Sequence, residues 1–198
     1  GRVVAFGGRS LDGQEPKYLN SPESEIFEKG KMLFAFEKAS SDIRKRDKAI
    51  IVEGYFDVIS LHSKGITNSV ASLGTALNKY QISQLCRCTD NKNIILNFDS
   101  DNAGILATKR VIKEVESLSI HDQINLKILQ LSDFKDPDEY LNSHTPEDYF
   151  NLIDNSSFWI DWEIDQIFKD KDLTKSEIFQ SVISSLVKLL SKLPQSST

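Results

Sequence analysis

The chain has 198 residues, 39% hydrophobic and 27% charged, with a net charge of −5. That allows one sizeable domain with a real core plus an appendage. It excludes a membrane span, since no run approaches the roughly 18 apolar residues needed, and no signal-peptide pattern opens the sequence. The acidic balance argues against a broad nucleic-acid-binding surface. Charge is uneven, however: residues 1–50 hold 10 Lys/Arg and 8 Asp/Glu, and the rest hold 14 and 21. A local basic groove beside an acidic pocket gives this pattern, as does chance. The first residue is Gly rather than Met, and the chain reads as an internal piece of a longer protein.

In chain order, "RVVAF" (2–6) predicts a short strand ended by Gly7-Gly8, and "LDGQEPKYLNSPES" (11–24) a long loop of turn formers. A helix is expected from Phe27 to about Ile43, with Met32, Phe34, Ala35, Phe36 and Ala39 available for a buried face. "AIIVEG" (49–54) is a buried strand, "YFDVISLHSKG" (55–65) a helix stopped by Gly65, and "NSVASLG" (68–74) a short strand and turn. A helix over 78–88, a buried strand over 93–99, a strong helix over 102–118 and a half-exposed strand over 124–131 follow. This alternation predicts βαβ crossovers and a mainly parallel sheet flanked by helices. Beyond Asp136 the pattern is helical. Thr174-x-x-Glu177 reads as a capping box opening an amphipathic helix. Its broad apolar face carries Ile178, Phe179, Val182, Ile183, Leu186, Leu189, Leu190 and Leu193.

Cys86 and Cys88 form a C-x-C pair with no partners for a tetrahedral zinc site, so they read as ordinary thiols in a helix, in a reducing, cytosolic compartment. His62, His121 and His144 lack metal spacing and are expected on exposed surfaces. No phosphate-binding P-loop exists. An EF-hand starting at Asp99 fails at Ala103 and Arg110.

Three acidic clusters sit where strands end: Glu53 with Asp57 four residues on, Asp99 with Asp101, and Asp136 with Asp138 in "KDPDEYL". Each alone is a common turn or helix cap. Together, on adjacent loops beyond the carboxyl ends of parallel strands, they would repel unless cations neutralise them. Oxygen ligands of this kind favour Mg²⁺ or Mn²⁺ over zinc and suit phosphate chemistry.

"IIVEGYFDVISL" followed by "NFDSDNAG", with 46 residues from Glu53 to Asp99, resembles a Toprim domain. The flanks "GRVVAFGGRSLDGQEPKYLNSPES" and "IFEKGKMLF", with "VASLGTAL" and "DPDEYL", are similar to bacterial-type DNA primase, the DnaG family. The resemblance covers about residues 1–150. It implies an α/β fold: a Toprim-type mainly parallel sheet flanked by helices, an N-terminal strand and loop segment, and a C-terminal helical subdomain. The implied divisions are 1–48, the end of the N-terminal catalytic subdomain; 49–140, the metal-binding Toprim domain; and 141–198, a helical subdomain leading toward a helicase-binding region.

The resemblance further implies synthesis of short RNA primers from NTPs on single-stranded DNA, with two or more Mg²⁺ or Mn²⁺ ions. Glu53, Asp99, Asp101, Asp136 and Asp138 would form the metal site. Glu53, Asp99 and Asp101 would be catalytic, Glu53 as ligand or as general base, and Asp57, on the same segment as Glu53, would assist. Arg9, Lys17, Tyr18, Asn20 and Lys29 match positions near nucleotide or nucleic acid. Ser100 and Asn102 depart from the family pattern, which favours Gly or Ala and then a basic residue. Zinc is expected only in the family's N-terminal domain, and the replicative helicase only through its C-terminal domain. The expected setting is a monomer in the cytoplasm, at the bacterial nucleoid or in a plastid, and the piece alone is expected to make primers poorly or not at all. Two other readings stay open at this point: a Toprim-family nuclease, and a non-catalytic helicase-docking module.

Overall fold

A computed structural model describes residues 2–10, 15, 16, 18–118, 123–131 and 133–192. They fall into two compact units, residues 1–156 and 157–198.

The first unit opens with an antiparallel hairpin. Strand β1 (Gly7–Arg9) pairs with β2 (Tyr18–Asn20), with Gly7 opposite Asn20 and Arg9 opposite Tyr18. The strand expected at 2–6 is therefore displaced toward the glycines expected to end it. Val3 and Phe6 stay exposed, and pairing begins where the Ser21 N–H donates to the Phe6 carbonyl at 2.9 Å. The helix expected from Phe27 is also late: a 3₁₀ turn occupies Lys29–Lys31 and helix α1 runs Phe36–Arg46. Tertiary pairing overrides the periodicity here, because the Phe34 N–H donates to the Ala71 carbonyl at 2.8 Å and Ala35 takes φ 63° before the helix can begin.

Alternating elements follow: β3 (Ala49–Val52), α2 (Tyr55–Ser63), β4 (Ser69–Ala71), α3 (Lys79–Cys86), β5 (Asn93–Leu96), α4 (Asn102–Glu116) and β6 (Asn125–Ile128). Within this unit the strands run parallel in the order β4-β3-β5-β6, with Ile50 beside Ser69 and Ile95, and Ile95 beside Lys127. The continuous apolar runs of β3 and β5 are buried as a sheet covered on both faces requires. In β6, Leu126 and Ile128 are buried while Asn125 is exposed, matching the alternation in its sequence. Two short helices, α5 (Pro137–Leu141) and α6 (Pro146–Asp154), complete the unit. Its core packs Ile50, Val58, Leu61, Ile95 and Leu129 against Tyr140 and Tyr149.

Helix starts follow local chemistry. The Asn78 side chain accepts from the Tyr80 and Gln81 N–H groups at α3, and Thr145 and Asp148 form a reciprocal capping box at α6. Both cysteines are buried free thiols, Cys86 closing α3 with its pKa pushed up to about 11 by burial. His62 and His144 are half-buried rather than exposed: His62 Nε2 lies 3.0 Å from the Ser69 carbonyl, and His144 stacks on Tyr140 with ring centroids 4.1 Å apart. His121 lies outside the described residues.

The second unit contains a two-residue strand β7 (Ser157–Phe158), α7 (Trp159–Phe168) and α8 (Ser176–Leu190). The capping box expected at Thr174 does not form. Its hydroxyl donates to Asp172 Oδ1 at 2.6 Å, and Lys175 stands at the helix start without a side-chain cap. Of the broad apolar face, Val182 and Leu189 are buried, whereas Phe179, Ile183 and Leu190 remain exposed; Leu193 lies outside the described residues. Among the described residues no helix is long and apolar enough to cross a membrane.

One buried polar link ties α6 to the sheet. The Tyr149 hydroxyl donates to Asn97 Oδ1 at 2.6 Å, and Asn97 Nδ2 donates to the Leu129 carbonyl at 3.2 Å. Tyr149→Phe leaves the Asn97 oxygen buried without that donor and is expected to cost about 1–3 kcal/mol, read from the urea midpoint at unchanged slope.

Candidate metal and nucleotide cleft

Strand order reverses between β3 and β5, the place where open parallel sheets bind ligands beyond their carboxyl ends. Glu53 follows β3 directly, and Asp99 follows β5 by three residues. Their loops are sewn together: the Asp99 N–H donates to Glu53 Oε1 at 3.1 Å. Gly104 permits this approach, since a Cβ there would lie 2.0 Å from the Asp99 carbonyl oxygen and 2.9 Å from Glu53 Oε1. The segment after β6 joins the same seam. The Ser100 N–H donates to the Lys135 carbonyl and the Ser100 hydroxyl to the Phe134 carbonyl, each at 3.2 Å.

Three of the acids also cap backbone. Asp101 Oδ1 accepts from the Gly104 N–H, and Asp136 Oδ1 from the Glu139 N–H, both at 2.9 Å, starting α4 and α5. Asp57 Oδ2 accepts from the Gly54 N–H at 2.9 Å at the start of α2.

A cleft of about 360 Å³ opens over this seam. Glu53, Asp57, Asp99, Asp136 and Asp138 line it, facing Arg9, Tyr18 and Asn20 of the hairpin. Asp101 does not line the cleft; it is exposed at the helix start beside it. Lys29 is half-buried on the 3₁₀ turn and lines none of the cleft, its main chain held by Glu23 and Gln81. Lys17 lies outside the described residues. The Arg9 guanidinium sits 5.7 Å from the Tyr18 ring centroid and 5.2 Å from that of Phe56, a cation–π arrangement that holds its charge over the cleft rim. Asn20 is occupied by structure: its Oδ1 accepts from the Tyr55 hydroxyl and its Nδ2 donates to the Leu73 carbonyl at 3.2 Å. Gly7 lets the hairpin lie on Tyr55, because a Cβ there would meet the ring at 2.7 Å.

Burial, then mutual repulsion, raises the proton affinity of the inner acids. Asp57 is pushed up to about 7 by burial and by Asp136, Asp99 and Asp138, despite its Gly54 bond. Glu53 is raised by burial and by the charge of Asp99. Asp99 is raised by burial, with Lys135 opposing. Excess negative charge of this kind fits a divalent cation. The donors are all oxygen, and no His or Cys lines the cleft, which suits Mg²⁺ or Mn²⁺ and not zinc. Among the described residues no three such groups converge on one point. Mg²⁺ needs no such cage, since it is held by one or two carboxylates together with waters and substrate phosphates.

Phe56, Ser72, Gly74 and Lys135 also line the cleft and were not singled out by sequence reasoning. Phe56 and Lys135 carried a signal, each adjoining an acidic motif, in "EGYFD" and "KDPDE". The 72–74 loop lies in "VASLGTAL", part of the family resemblance, but its place at the cleft depends on β4 pairing beside β3.

Acidic loops around the switch point of a parallel sheet are the arrangement of a Toprim-like domain, and a family model so described matches residues 50–141. A second, described as the DNA primase catalytic core, N-terminal domain, matches residues 1–40. The DNA primase of Synechococcus elongatus is 53% identical over 194 residues, covering 98% of this chain and 28% of the relative. That of Synechocystis is 47% identical over 195 residues, covering 98% and 31%. Among solved structures, the Escherichia coli primase catalytic core matches with a TM-score of 0.81 at 32% identity, over 98% of this chain and 61% of that one. A DnaG primase catalytic domain bound to single-stranded DNA matches with a TM-score of 0.81 at 31% identity, over 100% and 63%. The chain belongs to the bacterial DNA primase family, DnaG, and carries part of its catalytic core. It spans less than a third of the length of these curated relatives.

Two outcomes follow from the seam. Gly104→Ala forces a methyl against main chain and is expected to destabilise by about 1–3 kcal/mol or more, measured by urea unfolding. Asp57, without divalent ions, keeps its proton in the folded state to about pH 7, against 3.8 for an ordinary aspartate. Between about pH 4 and 7 the unfolded chain has released a proton that the folded chain retains, so this group's contribution to stability falls as pH rises through that window. Asp57→Asn titrates nothing, so its stability advantage over wild type should grow from pH 4 to pH 7 and then level off in metal-free melts.

Proposed function

We propose that residues 49–140 are the metal-binding part of a primase catalytic core, with 1–48 contributing the nucleotide-facing hairpin and 141–198 a helical extension. In the full protein this core would synthesise short RNA primers for replication by joining NTPs on single-stranded DNA. The observation that carries the reading is one cleft with five carboxylates on one side and an aromatic-flanked arginine on the other. The family matches at 1–40 and 50–141 support the division. Likeness to a primase catalytic domain solved with single-stranded DNA bound supports the template.

In this reading Glu53, Asp99, Asp136 and Asp138 hold Mg²⁺ or Mn²⁺, and Asp101 contributes the oxygen its cap leaves over. A bound divalent ion supplies a Lewis acid for the α-phosphate and its attacking 3′-hydroxyl. Glu53 either shares in holding it or accepts the hydroxyl proton, for which its raised proton affinity is suited. Asp57 fixes the Gly54 turn and so the position of Glu53. Arg9, with Lys17 and Lys29 on the same N-terminal segment, holds phosphates of nucleotide or template. Tyr18 offers its ring face beside Arg9, and Asn20 positions the hairpin. The full protein would work as a cytoplasmic monomer that meets the replicative helicase through a further domain. This stretch alone would bind metal and nucleotide and make primers poorly.

Titration calorimetry with Mn²⁺, with and without NTP, tests the site. Asp99→Asn is expected to weaken Mn²⁺ binding at least tenfold, and Asp101→Asn, whose amide still caps α4, by much less. NTP should strengthen binding by the wild type. Absence of Mn²⁺ binding, or equal binding by wild type and Asp99→Asn, would refute the assignment.

A further inference from the structure

Lys135 is a cation placed among the cleft carboxylates. Its Nζ lies 3.7 Å from Asp99 Oδ2. Its main chain leaves it little choice: the carbonyl accepts from the Ser100 N–H at 3.2 Å, and the N–H donates to Glu139 Oε2 at 2.6 Å. The residue is thus pinned through both its N–H and its carbonyl, the latter to the loop that carries Asp99, while its side chain lines the cleft and is largely exposed.

The pair is also loose. At 3.7 Å it is longer than a tight charge-assisted hydrogen bond, and the lysine side chain is 58% exposed while the aspartate is 20% exposed. Such a contact can be vacated at little cost. The other described cation on the cleft, Arg9, is held between two aromatic rings on the hairpin side. Lys135 is the one aimed at Asp99.

We propose that Lys135 is a built-in counter-cation that occupies Asp99 until a divalent ion displaces it, and that the displaced ammonium then pairs with the triphosphate of the bound nucleotide. Lys135 therefore makes metal and nucleotide binding interdependent. Without nucleotide it competes with the metal. With nucleotide the triphosphate draws the ammonium away, and the metal binds more tightly. By reciprocity the metal strengthens nucleotide binding by the same factor. A lysine suits this better than an arginine fork, because a point charge on a flexible stem can change partners without losing a bidentate geometry. This inference rests on the metal site proposed for Glu53, Asp99, Asp136 and Asp138.

The experiment is Mn²⁺ titration of the 198-residue chain, wild type, Lys135→Met and Lys135→Arg, each with and without a non-hydrolysable NTP. Far-UV circular dichroism checks that each folds; the side chain is exposed and its ion pair is with Asp99, so each should. Lys135→Met is expected to bind Mn²⁺ about 3–10-fold more tightly than wild type without nucleotide, and to show a smaller NTP-induced gain, what remains coming from direct phosphate–metal bonds. Lys135→Arg should remain close to wild type without nucleotide. Equal Mn²⁺ affinities for wild type and Lys135→Met without nucleotide would overturn the inference and leave the metal site standing, as would an unchanged NTP effect. Binding by neither protein would overturn both.

Discussion

A hydrogen bond from the Asp99 N–H to Glu53 Oε1 joins the loops that follow the two central strands. It forms only because Gly104 carries no side chain, and it sets the spacing of everything around the cleft. The neighbouring bonds of Ser100 to the segment after β6 extend the same seam to Asp136 and Asp138. The loops are thus tied to one another through main chain and through the Glu53 carboxylate, with Glu53, Asp99, Asp136 and Asp138 lining the cleft between them. The arrangement costs electrostatic energy, visible in the raised proton affinities of Asp57, Glu53 and Asp99. A fold that keeps these carboxylates partly buried and close together is poised for a cation, as sites shaped for binding commonly are.

The acids do two jobs at once. Asp101, Asp136 and Asp57 each satisfy a backbone N–H at a helix start, an ordinary stabilising role. The three helix starts surround the switch point of the sheet, so capping and clustering come from the same placement. This is why each motif, taken by itself, reads as a plain helix cap. Only the parallel order β4-β3-β5-β6 brings the three starts around one acidic cleft, which Asp57 and Asp136 line and Asp101 borders.

Much of this was legible in the sequence because parallel strands buried on both faces leave a simple trace. "AIIV" and "NIIL" are continuous apolar runs, and their ends mark the acids. Asp136-Pro137 declared its helix start through the restricted geometry of proline. Some of what failed depended on partners distant in sequence. Phe34 looked helical but pairs with Ala71, and Gly7-Gly8 looked like a turn but pairs with Leu19-Asn20. Thr174 satisfied a capping pattern, yet the nearer Asp172 captured its hydroxyl. The cleft residues Phe56 and Lys135 were missed for another reason. Apolar and basic side chains beside acidic motifs are common, and only packing shows which of them face inward.

The position of β3 has a consequence for how the molecule comes into being. Both its partners, β4 and β5, lie later in the chain, so the first strand of the parallel sheet to be made must wait for both its edges to be covered. Ile50 and Ile51 stay unpaired on one side until residues through Leu96 are available, and the seam must wait further for Lys135. Ordering such non-local pairs is slow because loop entropy is spent before contacts return it. During synthesis the acidic wall is therefore a late product, assembled on a sheet already formed.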